Sequence, residues 1–184
     1  MMYCKPGLSL PLRVLIVALL LPQGLFALSP QGERSLALGG IQSLNGVGAS
    51  ADFVRDASSF HSLALTADLI DILDGKASTP GVKMTYYFNM VLKDWSEGKY
   101  ACYAGPGLMA GYVRDLNHHL GFAGGVSGDA GFRVRCLKGI VVSVEFQVDL
   151  ALQFKNRYVP DMSLYDAGFR HSYFPYVRIQ YSFR

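Results

Sequence analysis

The residues best placed to do chemistry in this sequence are two histidine pairs, His118 beside His119 and His171 beside Ser172, and a larger set of scattered charges. A hydrolase needs a serine hydroxyl within reach of an imidazole that a carboxylate holds in place, and a metal centre needs ligands that converge. Adjacent residues of an extended chain point to opposite faces. In or beside strands, therefore, His171 and Ser172 do not meet, and His118-His119 reads as a polar loop pair with no metal. The charges are more telling. Asp52, Asp68, Lys83, Asp129, Arg133, Arg135, Glu145, Asp149 and Arg178 fall in apolar surroundings with the two signs nearly balanced. That pattern points to structural ion pairing, provided some architecture brings them to one side.

The elements that carry them have a period of two. From Ile140 to Phe154 every even residue is apolar, while Ser143, Glu145, Gln147, Asp149 and Gln153 lie between them. A helix would spread those apolar residues around its circumference, whereas a strand lines them up on one face. The pattern recurs from Val82 to Leu92 and from Leu120 to Cys136, and with opposite parity from Tyr173 to Phe183. Weaker members run over Ser35 to Ile41, Val47 to Val54, Ser59 to Ile70 and Lys99 to Val113, which makes eight strands. Pro106 has no amide hydrogen, so a bulge is expected there. Connections alternate between tight turns, such as Ser96-Glu97-Gly98 and Leu137-Lys138-Gly139, and longer loops, the longest being 156–172.

Composition narrows the class. The chain of 184 residues is 51% hydrophobic and 17% charged. Lys5 and Arg13 precede the apolar run Val14 to Leu21, which leads through Pro22 and Gly24 to Ala27, the order of a signal peptide. That run is too short for the roughly 20 residues of a spanning helix. Cleavage after residue 27 leaves 15 basic against 14 acidic residues, with no basic cluster, so nucleic-acid binding is disfavoured. It also leaves Cys102 and Cys136, which the strand register does not place opposite each other and which read as two free thiols. Residues 28–34 then form a short N-terminal segment, and 35–184 the folded domain.

An all-β protein with this alternation can turn its apolar face inward around a ligand or outward to lipid. The charges favour the second choice, because both signs share the face that would line the interior. Gly105, Gly107, Gly111, Gly121, Gly125 and Gly131 fall on that same face, leaving room for long side chains in a narrow lumen. Arg133 is expected diagonally across from Glu145, within ion-pair reach. Aromatics gather near the strand ends: Phe53, Phe60, Trp95, Tyr100, Phe132, Tyr181 and Phe183 on the turn side, Tyr112, Phe122, Phe154 and Tyr173 on the loop side. Such girdles mark the two interfaces of a membrane.

With a signal peptide, eight alternating strands and the aromatic segment Tyr173 to Arg184, the sequence resembles the small Gram-negative outer-membrane β-barrels of the OmpA/OmpX type. The resemblance implies an eight-stranded antiparallel up-and-down transmembrane barrel, without a periplasmic domain, inserted by the barrel-assembly machinery from a signal in the last strand. It implies a monomer in contact with outer-membrane lipid and lipopolysaccharide, without a cofactor. The expected role is structural or surface interaction, with Arg157, Tyr158, Tyr165, Phe169 and Arg170 of the long loop as contacts for an extracellular protein or glycan. The alternative is a lipid A-modifying enzyme, an acyl hydrolase or transferase, although the deacylases' His-x-Ser-Asn pattern is absent. A narrow channel is disfavoured, because eight strands enclose only enough space for their own side chains.

Overall fold

Strict alternation over runs of 15 or 16 residues leaves the backbone one way to bury a polar set and expose an apolar one: a sheet that closes on itself. In the structure, a computed structural model, residues 35–96, 98–136, 139–155, 161–172 and 175–183 are described. They form β1 (Ser35–Gln42), β2 (Gly46–Val54), β3 (Ser59–Asp68), β4 (Gly81–Trp95), β5 (Tyr100–Arg114), β6 (Leu120–Arg135), β7 (Ile140–Lys155), β8 (Asp161–Leu164) and β9 (Tyr176–Phe183). Each long strand pairs antiparallel with its chain neighbour. β9 pairs with β7 on one side, Glu145 facing Tyr176, and with β1 on the other, Leu36 facing Phe183. That closes an eight-stranded antiparallel barrel, with β8 as a short extra strand on the upper end of β7, Leu152 facing Leu164.

Parity holds throughout the wall. Along β7 the odd residues from Val141 to Gln153 are buried and the even ones from Val144 to Phe154 are exposed. In β9 the parity switches, with Tyr176, Arg178 and Gln180 inward. Pro106 does not produce the expected register shift. Pairing with β4 lapses opposite it between Tyr87 and Met90, but the phase is kept, and the shift comes at Leu92 between Val91 and Lys93. Losing one donor costs local pairing without adding a residue, and only an added residue moves the register. Phe60, expected among the outer aromatics, faces inward because the even residues of β3 do. Tyr173 lies outside the described residues.

The two ends differ. One carries tight turns, including Gly98 and Gly139 at φ of 78° and 80°, the left-handed region that glycine enters without penalty. The other carries the helices α1 (Ile70–Leu73) and α2 (Gly168–Ser172) together with β8. What sequence periodicity shows as an open loop at 156–172 therefore contains a strand and a helical turn.

Candidate functional site in the barrel lumen

The inward face assembles two polar clusters. Toward the loop end, Lys83 Nζ lies 2.8 Å from Asp149 Oδ2, Ser127 Oγ donates to Asp149 Oδ1 at 2.5 Å, and Tyr87 OH meets Ser127 Oγ at 2.8 Å. Toward the turn end, Arg178 holds two carboxylates at once. Its Nη1 is 2.6 Å from Asp52 Oδ1, its Nη2 donates to Glu145 Oε2 at 2.8 Å, and its Nε lies 2.7 Å from Glu145 Oε1 as an ion-pair contact. Arg133 binds the other Asp52 oxygen, and Ser62 donates to Asp52 at 2.8 Å. The Arg133 guanidinium also stacks 3.8 Å from the centre of the Phe60 ring, a cation–π contact that explains why an aromatic stands inside.

Glycine makes this packing fit. A methyl group on Gly131 would lie 2.5 Å from the Tyr103 ring, and one on Gly107 would lie 2.3 Å from the Tyr87 ring. Both tyrosines therefore lie flat against strand backbone, as the inward glycines suggest.

Of the nine charges expected in the lumen, Asp52, Lys83, Arg133, Glu145, Asp149 and Arg178 join the ion pairs. The expected Arg133–Glu145 pair does not form. Gly131 faces Glu145 and Ser143 faces Arg133, and Arg133 reaches across the lumen to β2 instead. Glu145 takes its diagonal neighbour on the other side, Arg178, whose register partner is Ser143. The barrel-closing pairing decides this, and it joins segments that are far apart in sequence. Asp129 is buried and joins no ion pair among the described residues: it accepts the Asn89 amide at 3.2 Å, and the Glu145 carboxyl lies within hydrogen-bond reach of it. Asp68 sits at the rim, where the Ile70 amide donates to it at 3.2 Å. Arg135 is half-buried at the turn end and makes no ion pair with a described residue.

The loop end is capped. Tyr165 is 1% exposed and packs with Met109, Val113, Ala123, Ala151 and Ala167, while its amide donates to the Ala151 carbonyl at 2.7 Å. Tyr165 is thus a plug and not a surface contact: the chain turns inward after β8 and the ring fills the barrel mouth. Phe169 and Arg170 are exposed, and Arg157 and Tyr158 lie outside the described residues. Beneath the cap, Asp68, Lys83, Tyr165, His171 and Tyr176 line a cavity of about 20 Å³, room for one water. Both ring nitrogens of His171 face tyrosine hydroxyls, those of Tyr165 and Tyr176, at 3.5 Å. Burial, and next the Lys83 ammonium, push its imidazolium down to about 4.

No family model, curated protein or solved structure matches the chain. The site is accordingly interpreted from its own geometry.

His171 and Ser172 share α2 and not a strand, and the Ser172 hydroxyl donates to the Gly168 carbonyl at 3.3 Å. His118 takes the turn position at φ 62°, and the Asp115 carboxylate accepts the Asn117 and His119 amides at 2.9 and 2.7 Å. Burial opposes the charge of Asp115, but the Lys155 ammonium 2.6 Å away and the His119 amide outweigh it and hold the carboxyl below its ordinary range. Among the described residues no three metal-ligating side chains converge, and Cys102 and Cys136 are free thiols.

The arrangement can do two things chemically. The charge clusters cross-link opposite walls, and the cap shields the loop-end cluster from bulk solvent.

Proposed function

We propose that the protein is an integral outer-membrane β-barrel with a side-chain-filled lumen, serving a structural or surface-interaction role through its loop end. One observation carries the reading: the barrel is inside out. Buried positions hold Asp52, Lys83, Glu145, Asp149 and Arg178, each at most 5% exposed, while Leu108, Phe122 and Phe154 on the outer wall are 56% or more exposed. A water-soluble barrel would leave that outer wall as an apolar patch far beyond what soluble monomers expose. In a bilayer it is the required surface, and closure gives each of the eight wall strands a partner on both sides, with the short β8 lying beyond the wall at the loop end.

The two ends fit the same reading. Outward aromatics at one end include Phe53, Trp95, Phe132 and Phe183, and at the other Phe122 and Phe154. Aromatic rings favour the headgroup level. Residues 1–27 supply the export step and Phe183 in β9 the aromatic signal for the assembly machinery. The role is non-enzymatic, with lipid and lipopolysaccharide around the wall and a protein or glycan met by exposed groups such as Phe169 and Arg170.

The test is cell fractionation followed by electrophoresis of boiled and unboiled samples. The mature protein is expected in the outer-membrane fraction, with a mobility that changes on boiling as the barrel unfolds. Recovery as a soluble periplasmic species would overturn the proposal.

A further inference from the structure

The lumen is one positive charge short. Between the rims it buries the carboxylates Asp52, Asp129, Glu145 and Asp149 against Lys83, Arg133 and Arg178. Lys83 matches Asp149, while the two arginines match Asp52 and Glu145. Asp129 is left over. It is 4% exposed, and no ion pair among the described residues includes it. Arg135 cannot supply the charge, being six residues along the same strand and so about 20 Å away. A buried carboxylate without a counter-charge is costly enough that something must neutralise it.

The surroundings of Asp129 are oxygen-rich and incomplete: Glu145 of β7 brings a second carboxyl within hydrogen-bond reach, a contact that two ionised carboxylates cannot make without a cation between them, and Arg178 of β9, already engaged by Asp52 and Glu145, faces it from farther off. Asn89 is 0% exposed, and its amide nitrogen donates to Asp129 Oδ2, yet its Oδ1 has no hydrogen-bond partner, nor does Asp129 Oδ1. Gly105 stands between the two strands, facing Asp129 in register, and a methyl group there would lie 2.6 Å from Asn89 Oδ1. Two residues along the same inward face is Tyr103, 2% exposed, with a hydroxyl that also lacks a partner. We propose that the lumen binds one monovalent cation, a proton or an alkali-metal ion, in this Asn89–Asp129 layer. The shared chemistry is a single positive charge on hard oxygen donors. A divalent ion would overshoot the deficit by one. The proposal rests on the barrel interior and does not depend on which membrane, if any, holds the barrel.

The experiment unfolds the full mature chain, folded in detergent micelles, by urea titration. One arm varies NaCl or KCl against choline chloride at constant ionic strength and pH; the other varies pH at constant salt. Wild type is compared with Asp129→Asn, a near-isosteric change that removes the surplus charge. If an alkali ion is the guest, a tenfold rise in its concentration near saturation should raise the folded-to-unfolded ratio up to tenfold in wild type and not in Asp129→Asn. If a proton is the guest, the pH profiles of the two proteins should diverge by up to tenfold per pH unit, with no alkali dependence. Infrared difference spectra of the folded proteins give a second readout that needs no unfolding: a protonated-carboxyl band present in wild type and lost in Asp129→Asn. Parallel salt and pH profiles with no such band would overturn the proposal.

Discussion

Arg178 concentrates the lumen's electrostatics in one side chain, because it touches both Asp52 and Glu145 and is itself 1% exposed. Removing it leaves buried Glu145 with no cation among the described residues and Asp52 with Arg133 alone. Arg178→Met should therefore lower stability by about 3–5 kcal/mol in urea titration, the cost of breaking a buried pair from one side. The Lys83–Asp149 pair offers the converse test. Lys83→Met should be more harmful than the double change Lys83→Met with Asp149→Leu, since the double variant leaves no buried charge behind. Equal losses would mean that Asp149 is solvated once Lys83 is gone. Which residues face inward was legible from parity alone. Their partners were not: Arg178 meets Glu145 only because β9 closes onto β7, and Arg133 meets Asp52 only across the lumen. Nothing local in the sequence encodes either contact.

At the scale of elements, the cap is the least regular part and the one most open to change. α2 carries His171 against Asp68 of β3, Lys83 of β4, Asp149 of β7 and Tyr176 of β9, with Tyr165 and Arg170 beside it. Its folded-state value of about 4 lies below the ordinary 6.5, so the docked cap favours the neutral ring. That contribution is complete above pH 6.5 and is lost as the pH falls toward 4. Amide exchange over 161–172, corrected for its intrinsic rate, should accelerate between pH 7 and pH 4.5 relative to the barrel strands, and His171→Phe should remove the difference. Protection that stays constant across that range would rule the mechanism out. The cap was the element least visible in the sequence. Asp161–Leu164 is too short for alternation to show, and Tyr165 looks like a loop aromatic until β8 turns it into the mouth. The long strands were legible because 15 or 16 alternating residues admit no helix, whereas the shift at Leu92 leaves no mark in the residue types, Pro106 being the conspicuous irregularity in this pair of strands.

For the whole molecule, the decisive quantity is what the outer wall touches. Leu108 lies near mid-height, 59% exposed, in a cross-strand row with Tyr86 and Val126. Leu44 is 60% exposed but sits in the connection between β1 and β2. By exposure alone the two are equivalent, and in water an arginine at either would change stability by no more than about 0.5 kcal/mol. In a bilayer they differ, since a charge at the midplane of a barrel's lipid face costs about 2–4 kcal/mol and near an interface about 0–1. Leu108→Arg should therefore destabilise the barrel in lipid vesicles by several times more than Leu44→Arg, while neither variant disturbs the lumen, because Leu108 is on the outer wall and Leu44 is exposed outside the strands. Equal small effects in vesicles would place the wall in water and leave its apolar rows without a solvent. A gap that closes when the same variants are unfolded from short-chain micelles, where the charge is close to water, would locate the penalty in the depth of the bilayer and not in the strand pairing that Leu108 shares with its neighbours.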